Sequence, residues 1–131
     1  MATVVTDTGL AIITKRIVGS GTEPKYVGWG TGAGTAAVTD TTLFTEKADD
    51  LSTGTGTRVT GTSSRTTTTK TNDTYTVVGT ITATGAGTVT NAGLFDGSTI
   101  GSDNLFVKGD HASIGLAVSD AIEYTFNVKF S

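Results

Sequence analysis

The chain holds few side chains of the kinds that chemistry uses, and their spacing limits what each can do. Its single histidine, His111, follows Asp110, a pairing that would suit general acid–base catalysis or part of a metal clamp. Neighbours one apart in a strand face opposite ways, however, and no Cys or second His completes a ligand set. His111 therefore reads as a surface or loop histidine. The run Gly28-Trp29-Gly30-Thr31-Gly32-Ala33-Gly34 invites comparison with a phosphate cradle. It lacks the Gly-Lys-Ser/Thr ending whose ammonium and hydroxyl meet phosphate and magnesium, and no strong helix N-terminus follows. Nor does it have dinucleotide-fingerprint spacing within a βαβ unit. A turn-rich loop is the expectation.

Paired carboxylates are another route to catalysis. The nearest acids, Asp49 with Asp50 and Asp7 with Glu23 or Glu46, show no pattern of retaining or inverting hydrolysis. Asp96 to Asp103 offers oxygen donors for calcium without the closing Glu and spacing of a helix-loop-helix site, so a turn is expected there too. Asn72-Asp73-Thr74 matches the glycosylation triplet, but no secretion signal accompanies it and it reads as coincidence. The sequence thus names no catalytic residue, no cofactor and no metal site, and the chain is read as a non-enzyme.

Composition agrees with that reading. Charged residues are only 16% of the 131, low for a site that must assemble acid, base and oxyanion donors. With no Cys, disulfides and thiolate chemistry are excluded. The net charge is −3 with no Lys/Arg cluster, which argues against direct binding of nucleic acid through its phosphates. Met1 to Val5 has neither a basic region nor a long apolar core, so no signal peptide and no membrane partner are expected. Thirty threonines and 18 glycines against one proline point instead to an all-β chain with many turns. So much glycine also makes stabilisation by neighbouring subunits attractive.

The elements that must position these residues are read from periodicity. Ile122, Tyr124, Phe126, Val128 and Phe130 alternate with Glu123, Thr125, Asn127 and Lys129, a long antiparallel strand with one face on a core. Residues 1–6 form an extended arm able to pair with a sheet edge of its own subunit or of a neighbour. Asp7 to Gly19 reads as the one helix, with Asp7 or Thr8 as cap, Leu10, Ile13, Thr14 and Ile17 on one face and Gly19 closing it. Its β-branched residues leave a strand as the competing assignment.

Further strands are expected at 25–30, 74–83, 88–96, 104–108 and 111–118, with a helical turn started by Thr39 or Asp40. Gly28 and Gly30 leave room for close packing, and Gly79 for a bulge or a crossing chain. Along 74–83, Tyr75, Val77, Ile81 and Ala83 point inward and Thr74, Thr76, Thr80 and Thr82 outward. Residues 49–72 read as a surface loop and exposed strand, or as a flexible, partner-facing flap. The fold class is mainly β: a small antiparallel β-sandwich or partly open barrel with one short N-terminal helix packed against it. Residues 7–131 form a single domain behind the arm.

Two stretches carry a resemblance. One runs from Gly9-Leu10-Ala11-Ile12-Ile13 through Tyr26-Val27-Gly28-Trp29-Gly30-Thr31-Gly32 to Thr39-Asp40-Thr41-Thr42-Leu43. The other joins Asn91-Ala92-Gly93-Leu94-Phe95-Asp96, Asn104-Leu105-Phe106-Val107-Lys108 and Ser119-Asp120-Ala121-Ile122-Glu123-Tyr124-Thr125-Phe126. Together they resemble small structural proteins of tailed bacteriophage virions. The resemblance implies a β-rich assembly module without cofactor. On that basis the expected role is a decoration or cement protein on the capsid exterior, stabilising joints between capsomers of the major capsid protein, with a homotrimer as its form. A tail-fibre or baseplate attachment module is the alternative. Candidate interface residues are Ala2, Val4 and Val5 in the arm, Leu51, Arg58 and Arg65 in the flap, and Trp29, which either packs inside or caps an intersubunit pocket.

Overall fold

The computed structural model describes residues 1–130. The chain runs through β1 (Thr3–Val5), α1 (Asp7–Ile17), β2 (Tyr26–Gly30), β3 (Glu46–Lys47), β4 (Val59–Thr60), β5 (Thr62–Thr66), β6 (Thr74–Thr82), β7 (Gly87–Phe95), β8 (Leu105–Leu116) and β9 (Ala121–Lys129). β1, β8, β7, β2 and β3 lie side by side in one antiparallel sheet, and β4 joins it by pairing with β2 beyond β3. A second antiparallel sheet has the order β5, β6, β9. The result is a small β-sandwich with one N-terminal helix.

Period-two alternation builds the interior. β9 pairs with β6 over nine residues, from Ala121 opposite Thr82 to Lys129 opposite Thr74. Its even-numbered residues Ile122, Tyr124, Phe126 and Val128 turn inward, as their spacing requires. They meet Val27, Trp29, Val89, Leu94 and Val107 from the larger sheet, together with Val77 and Ile81 of β6. Gly79 lies where β2 crosses β6, and a methyl group there would stand 2.6 Å from Val27 Cγ2. The close crossing expected at this glycine is therefore present.

Several local expectations are corrected. Leu105–Leu116 is one strand rather than two, because Gly109 and Asp110 continue the ladder opposite Ala92 and Asn91. The shifts in register fall on β7, between Val89 and Asn91 and again between Leu94 and Phe95. No helical turn forms after Thr39, where the chain makes only a turn. Thr74 and Thr76 point outward yet are buried, since the chain from Thr66 to Asp73 folds back over them. Their hydroxyls bond those of Thr68 and Thr66 at 2.6 Å each. The exposed strand expected within 49–72 is present as β5, with the two-residue β4 before it.

The helix forms where expected but begins and faces differently. Its cap is Thr6, fully buried, which accepts the Gly9 amide at 2.9 Å and donates to the Leu105 carbonyl at 2.7 Å. The buried stripe is Gly9 and Ile12, while Leu10 and Ile17 are 56% and 79% exposed. Glycine decides this orientation. A Cβ at position 9 would run into the Phe106 carbonyl oxygen, so only a residue without one lets the helix backbone lie on β8. Among the described residues no helix is long and apolar enough to cross a membrane.

Helix propensity alone makes Gly9→Ala stabilising by about 1 kcal/mol. The close approach to Phe106 predicts the opposite sign, a loss of about 1–3 kcal/mol in urea unfolding, typical of forcing extra volume into a packed contact. A stabilised Gly9→Ala protein would refute this account of the helix face.

Candidate functional site

The outer face of the larger sheet has no partner sheet, and three buried polar side chains, Arg58, Asn91 and Lys108, collect there. The chain from Thr39 to Glu46 lies across it and places Leu43 against Phe95 and Leu105, with Tyr26 beside them, as a second, smaller core. Gly30 permits this approach, because a side chain there would collide with the Phe44 carbonyl and the Asn91 amide. Gly28 and Gly30 thus do provide the close packing read from their spacing. Asn91, fully buried on β7, acts as a strand partner for Phe44: its Oδ1 accepts the Phe44 amide and its Nδ2 donates to the Phe44 carbonyl, each at 3.0 Å.

Two buried cations pin the same layer. Lys108 Nζ donates to Asp40 Oδ2 at 2.9 Å and to the Thr42 carbonyl at 2.8 Å, and sits 3.2 Å from the centre of the Phe44 ring. Arg58 stacks 3.4 Å over Phe95. Its guanidinium forks onto Glu46 at 2.7 and 3.0 Å and also reaches the Gly97 and Ser102 carbonyls and Asp103. All five guanidinium donors are therefore engaged. Saturated donors hold loops in place and leave nothing free to grip an anion or move a proton.

Asp110 and His111 are occupied in the same way. Asp110 accepts the Ala36 amide at 2.8 Å and the Ala2 amide at 3.0 Å. The Ala36 bond foremost, with the Ala2 amide and the nearby N-terminus, keeps its carboxyl below the usual carboxylate range. His111 turns the other way. Its Nδ1 lies 2.8 Å from the Ala112 carbonyl and so donates there, leaving Nε2 to accept from the Tyr124 hydroxyl at 2.9 Å. Burial pushes the Tyr124 hydroxyl pKa upward. No Asp–His dyad exists. In the glycine run, the Thr31 and Gly32 amides bond the Thr45 and Phe44 carbonyls at 3.1 and 2.9 Å, so they form no cradle.

The carboxylates are likewise dispersed. Asp50 accepts from the Ser52 and Thr53 amides and the Thr53 hydroxyl, whereas Asp49 meets Thr84. Glu23 bonds Tyr75, and Glu46 belongs to Arg58. Between Asp96 and Asp103, Asp96 accepts from Asn104 and Asp103 from Thr99, which closes a turn. Among the described residues no three His, Cys, Asp or Glu side chains gather in a way that could hold a metal.

The candidate interface residues divide sharply. The arm pairs with β8 of its own chain, Thr3 opposite Gly109 and Val5 opposite Val107, leaving Ala2, Val4 and Val5 half-buried. Arg65 is exposed on β5. Trp29 is 1% exposed, its indole donating to the Ala48 carbonyl at 3.1 Å, so of its two readings the interior one holds. Leu51 and Arg58 are also buried in the chain. The reason is shared: in a chain short of large side chains, Trp29 and Leu51 fill the core, and Arg58 neutralises Glu46.

Among the described residues, two of the larger concavities were not located by the sequence reading. An apolar groove of about 360 Å³ lies between α1 and the ends of the small sheet, walled by Ile12, Ile13, Ile17, Tyr75, Phe106 and Phe130. A cleft of about 350 Å³ separates the β1–β8 edge from β9 and contains Val4, Tyr124 and Phe126. The groove had a signal, since Ile13 and Ile17 recur at helical spacing on a face that could equally be buried or exposed. No protein-family model, no curated protein and no solved structure matches the chain.

Breaking the fork is expected to be severe. Arg58→Ala leaves Glu46 buried and unpaired and lowers unfolding stability by about 3–5 kcal/mol, with Arg58→Lys recovering only part because it cannot form the fork. Denaturant titration of the three proteins checks this. Acid also acts in a defined window. Asp40, Asp50 and Asp110 have carboxyl pKa values below their ordinary 3.8, that of Asp50 falling to about 2 chiefly through the Thr53 hydroxyl. Their stabilisation is present above about pH 4 and is lost as pH falls toward 2. The denaturation midpoint is expected to drop across that window and less steeply in Asp50→Ala. An Asp50 carboxyl titrating near 3.8 by NMR would contradict it.

Proposed function

We propose that this chain is a virion structural protein of tailed bacteriophages, a decoration or cement protein that binds across joints between capsomers of the major capsid protein. One observation carries the reading: apolar side chains on and beside α1 stand in water next to an apolar groove. Leu10, Ile17 and Val18 on and just after α1 are 56%, 79% and 78% exposed, and half-exposed Phe130 stands across the groove from Ile17. Exposed apolar side chains beside an apolar groove suit protein contact. The resemblance of the two long sequence stretches to phage structural proteins supplies the class of partner.

The mechanism is adhesive. A rigid sandwich, its loops held by Arg58, Asn91 and Lys108, presents the α1 face to one capsomer. Its remaining surface and other copies engage the next, so modest contacts multiply by simultaneous engagement. Such bridging opposes outward pressure from packaged DNA. A tail-fibre or baseplate position is the second reading, favoured by the polar strand β5, whose Thr62, Ser64 and Arg65 are exposed.

Stoichiometric labelling of purified virions, imaged on intact particles, separates the readings. Label over the head lattice is the expected result, label at the tail alone supports the second reading, and virions without label overturn both. The paired substitution Ile17→Asp and Val18→Asp is expected to reduce head occupancy at least about tenfold. It should cost no more than about 1–2 kcal/mol of stability, since both side chains are exposed and the penalty is that of two carboxylates at the negative end of α1.

A further inference from the structure

β9 is a sheet edge of unusual regularity. It pairs with β6 through nine residues without a break in register, and among the described residues its other side has no strand beside it. The Phe130 amide donates to the Asp73 carbonyl and the Asp120 carbonyl accepts from Ala83, both on the β6 side. Amide direction alternates along a strand, so the amides and carbonyls of Glu123, Thr125, Asn127 and Lys129 point away from β6, toward the open side. Natural edges are usually blunted by proline, bulges, shortness or charged side chains. β9 has no proline and no bulge over nine residues, and its only charges are Glu123 and Lys129.

Its side chains are self-complementary in one register. A second β9 laid antiparallel about a two-fold axis at Phe126 puts Glu123 opposite the copy's Lys129, and Lys129 opposite its Glu123. Thr125 then faces Asn127. On the inner side Tyr124 faces Val128, Ile122 faces Phe130, and the two Phe126 rings meet. Polar thus matches polar, apolar matches apolar, and opposite charges coincide twice. Glu123 and Lys129 are exposed and have no ion-pair partner among the described residues. A shift of two residues sets Glu123 against Asn127 and Lys129 against Ala121, which loses both charge pairs.

The inner side also needs covering. The Tyr124 and Phe126 rings stack with centroids 6.0 Å apart and are only half-buried, facing the 350 Å³ cleft beside Val4. We propose that two copies of this chain join through their β9 edges in this register, making one continuous six-stranded sheet, with the copy's Tyr124 and Phe126 entering the cleft. Self-pairing of one strand is isologous and closes at two copies. It therefore replaces the three-fold association implied by the phage resemblance, and it stands independently of any role in a virion.

Sedimentation of the full chain from low micromolar to submillimolar concentration is expected to show twice the chain mass. Glu123→Lys or Lys129→Glu alone creates like-charge pairs and weakens association about tenfold or more, while the double substitution restores it. Thr125→Pro removes an amide that faces outward and leaves the β6 ladder whole, so it abolishes the dimer without unfolding the chain. Because the protein has no cysteine, a mixture of Thr125→Cys and Asn127→Cys chains is expected to cross-link by oxidation, since opposed residues lie within disulfide reach. A monomer throughout, a three-fold mass, or a dimer indifferent to these substitutions overturns the proposal. Preferential cross-linking of Thr125→Cys to itself overturns the register.

Discussion

The six-stranded sheet has two faces to keep from water and only one sheet to lay against them. Its central strand β7 is buried on both sides from Asn91 to Phe95, and the outer side must be covered by irregular chain. Irregular chain brings unpaired amides and carbonyls with it, which are costly to bury unbonded. Asn91, Lys108 and Arg58 answer that constraint. Each reaches from the sheet or from the strand beside it to carbonyls or carboxylates of the covering loops, and among the described residues no buried side-chain polar atom lacks a partner.

That solution makes the interior polar layer rigid and chemically quiet. A guanidinium with five engaged donors and an ammonium held by Asp40, Thr42 and the Phe44 ring have no spare capacity. The same holds for Asp50 and Asp73, whose carboxylates tie down the turns that follow or precede them. What remains unengaged is of another kind: the apolar side of α1, and the backbone edge of β9. Both are features through which protein meets protein, and the proposed assembly role rests on the first of them.

Much of the sandwich was legible because its signal is local. The alternation from Ile122 to Phe130 and from Tyr75 to Ala83 follows from side-chain direction in a strand, whatever the neighbours are. Gly28, Gly30 and Gly79 marked close approaches because only the absence of Cβ explains glycine inside a strand. The helix illustrates the limit. Apolar residues lie on more than one side of α1, and the pattern favoured Leu10, Ile13 and Ile17, but the contact between Gly9 and Phe106 selects another stripe. Trp29, Leu51 and Arg58 were read among the candidates for contact with a partner, and the structure places all three inside.

By itself the sequence determined the β class, the single helix near the start, the position of most strands and the scarcity of catalytic groups. These depend on short-range periodicity, turn residues and composition. Only the tertiary structure decided that residues 39–46 cover a sheet face, that Arg58 answers Glu46, and that the arm pairs with its own β8. It alone also left β9 open on one side. The physical reason is separation along the chain: contacts such as Thr6 with Leu105 or Lys108 with Asp40 join residues far apart in sequence. Nothing in the local pattern of either partner specifies the other.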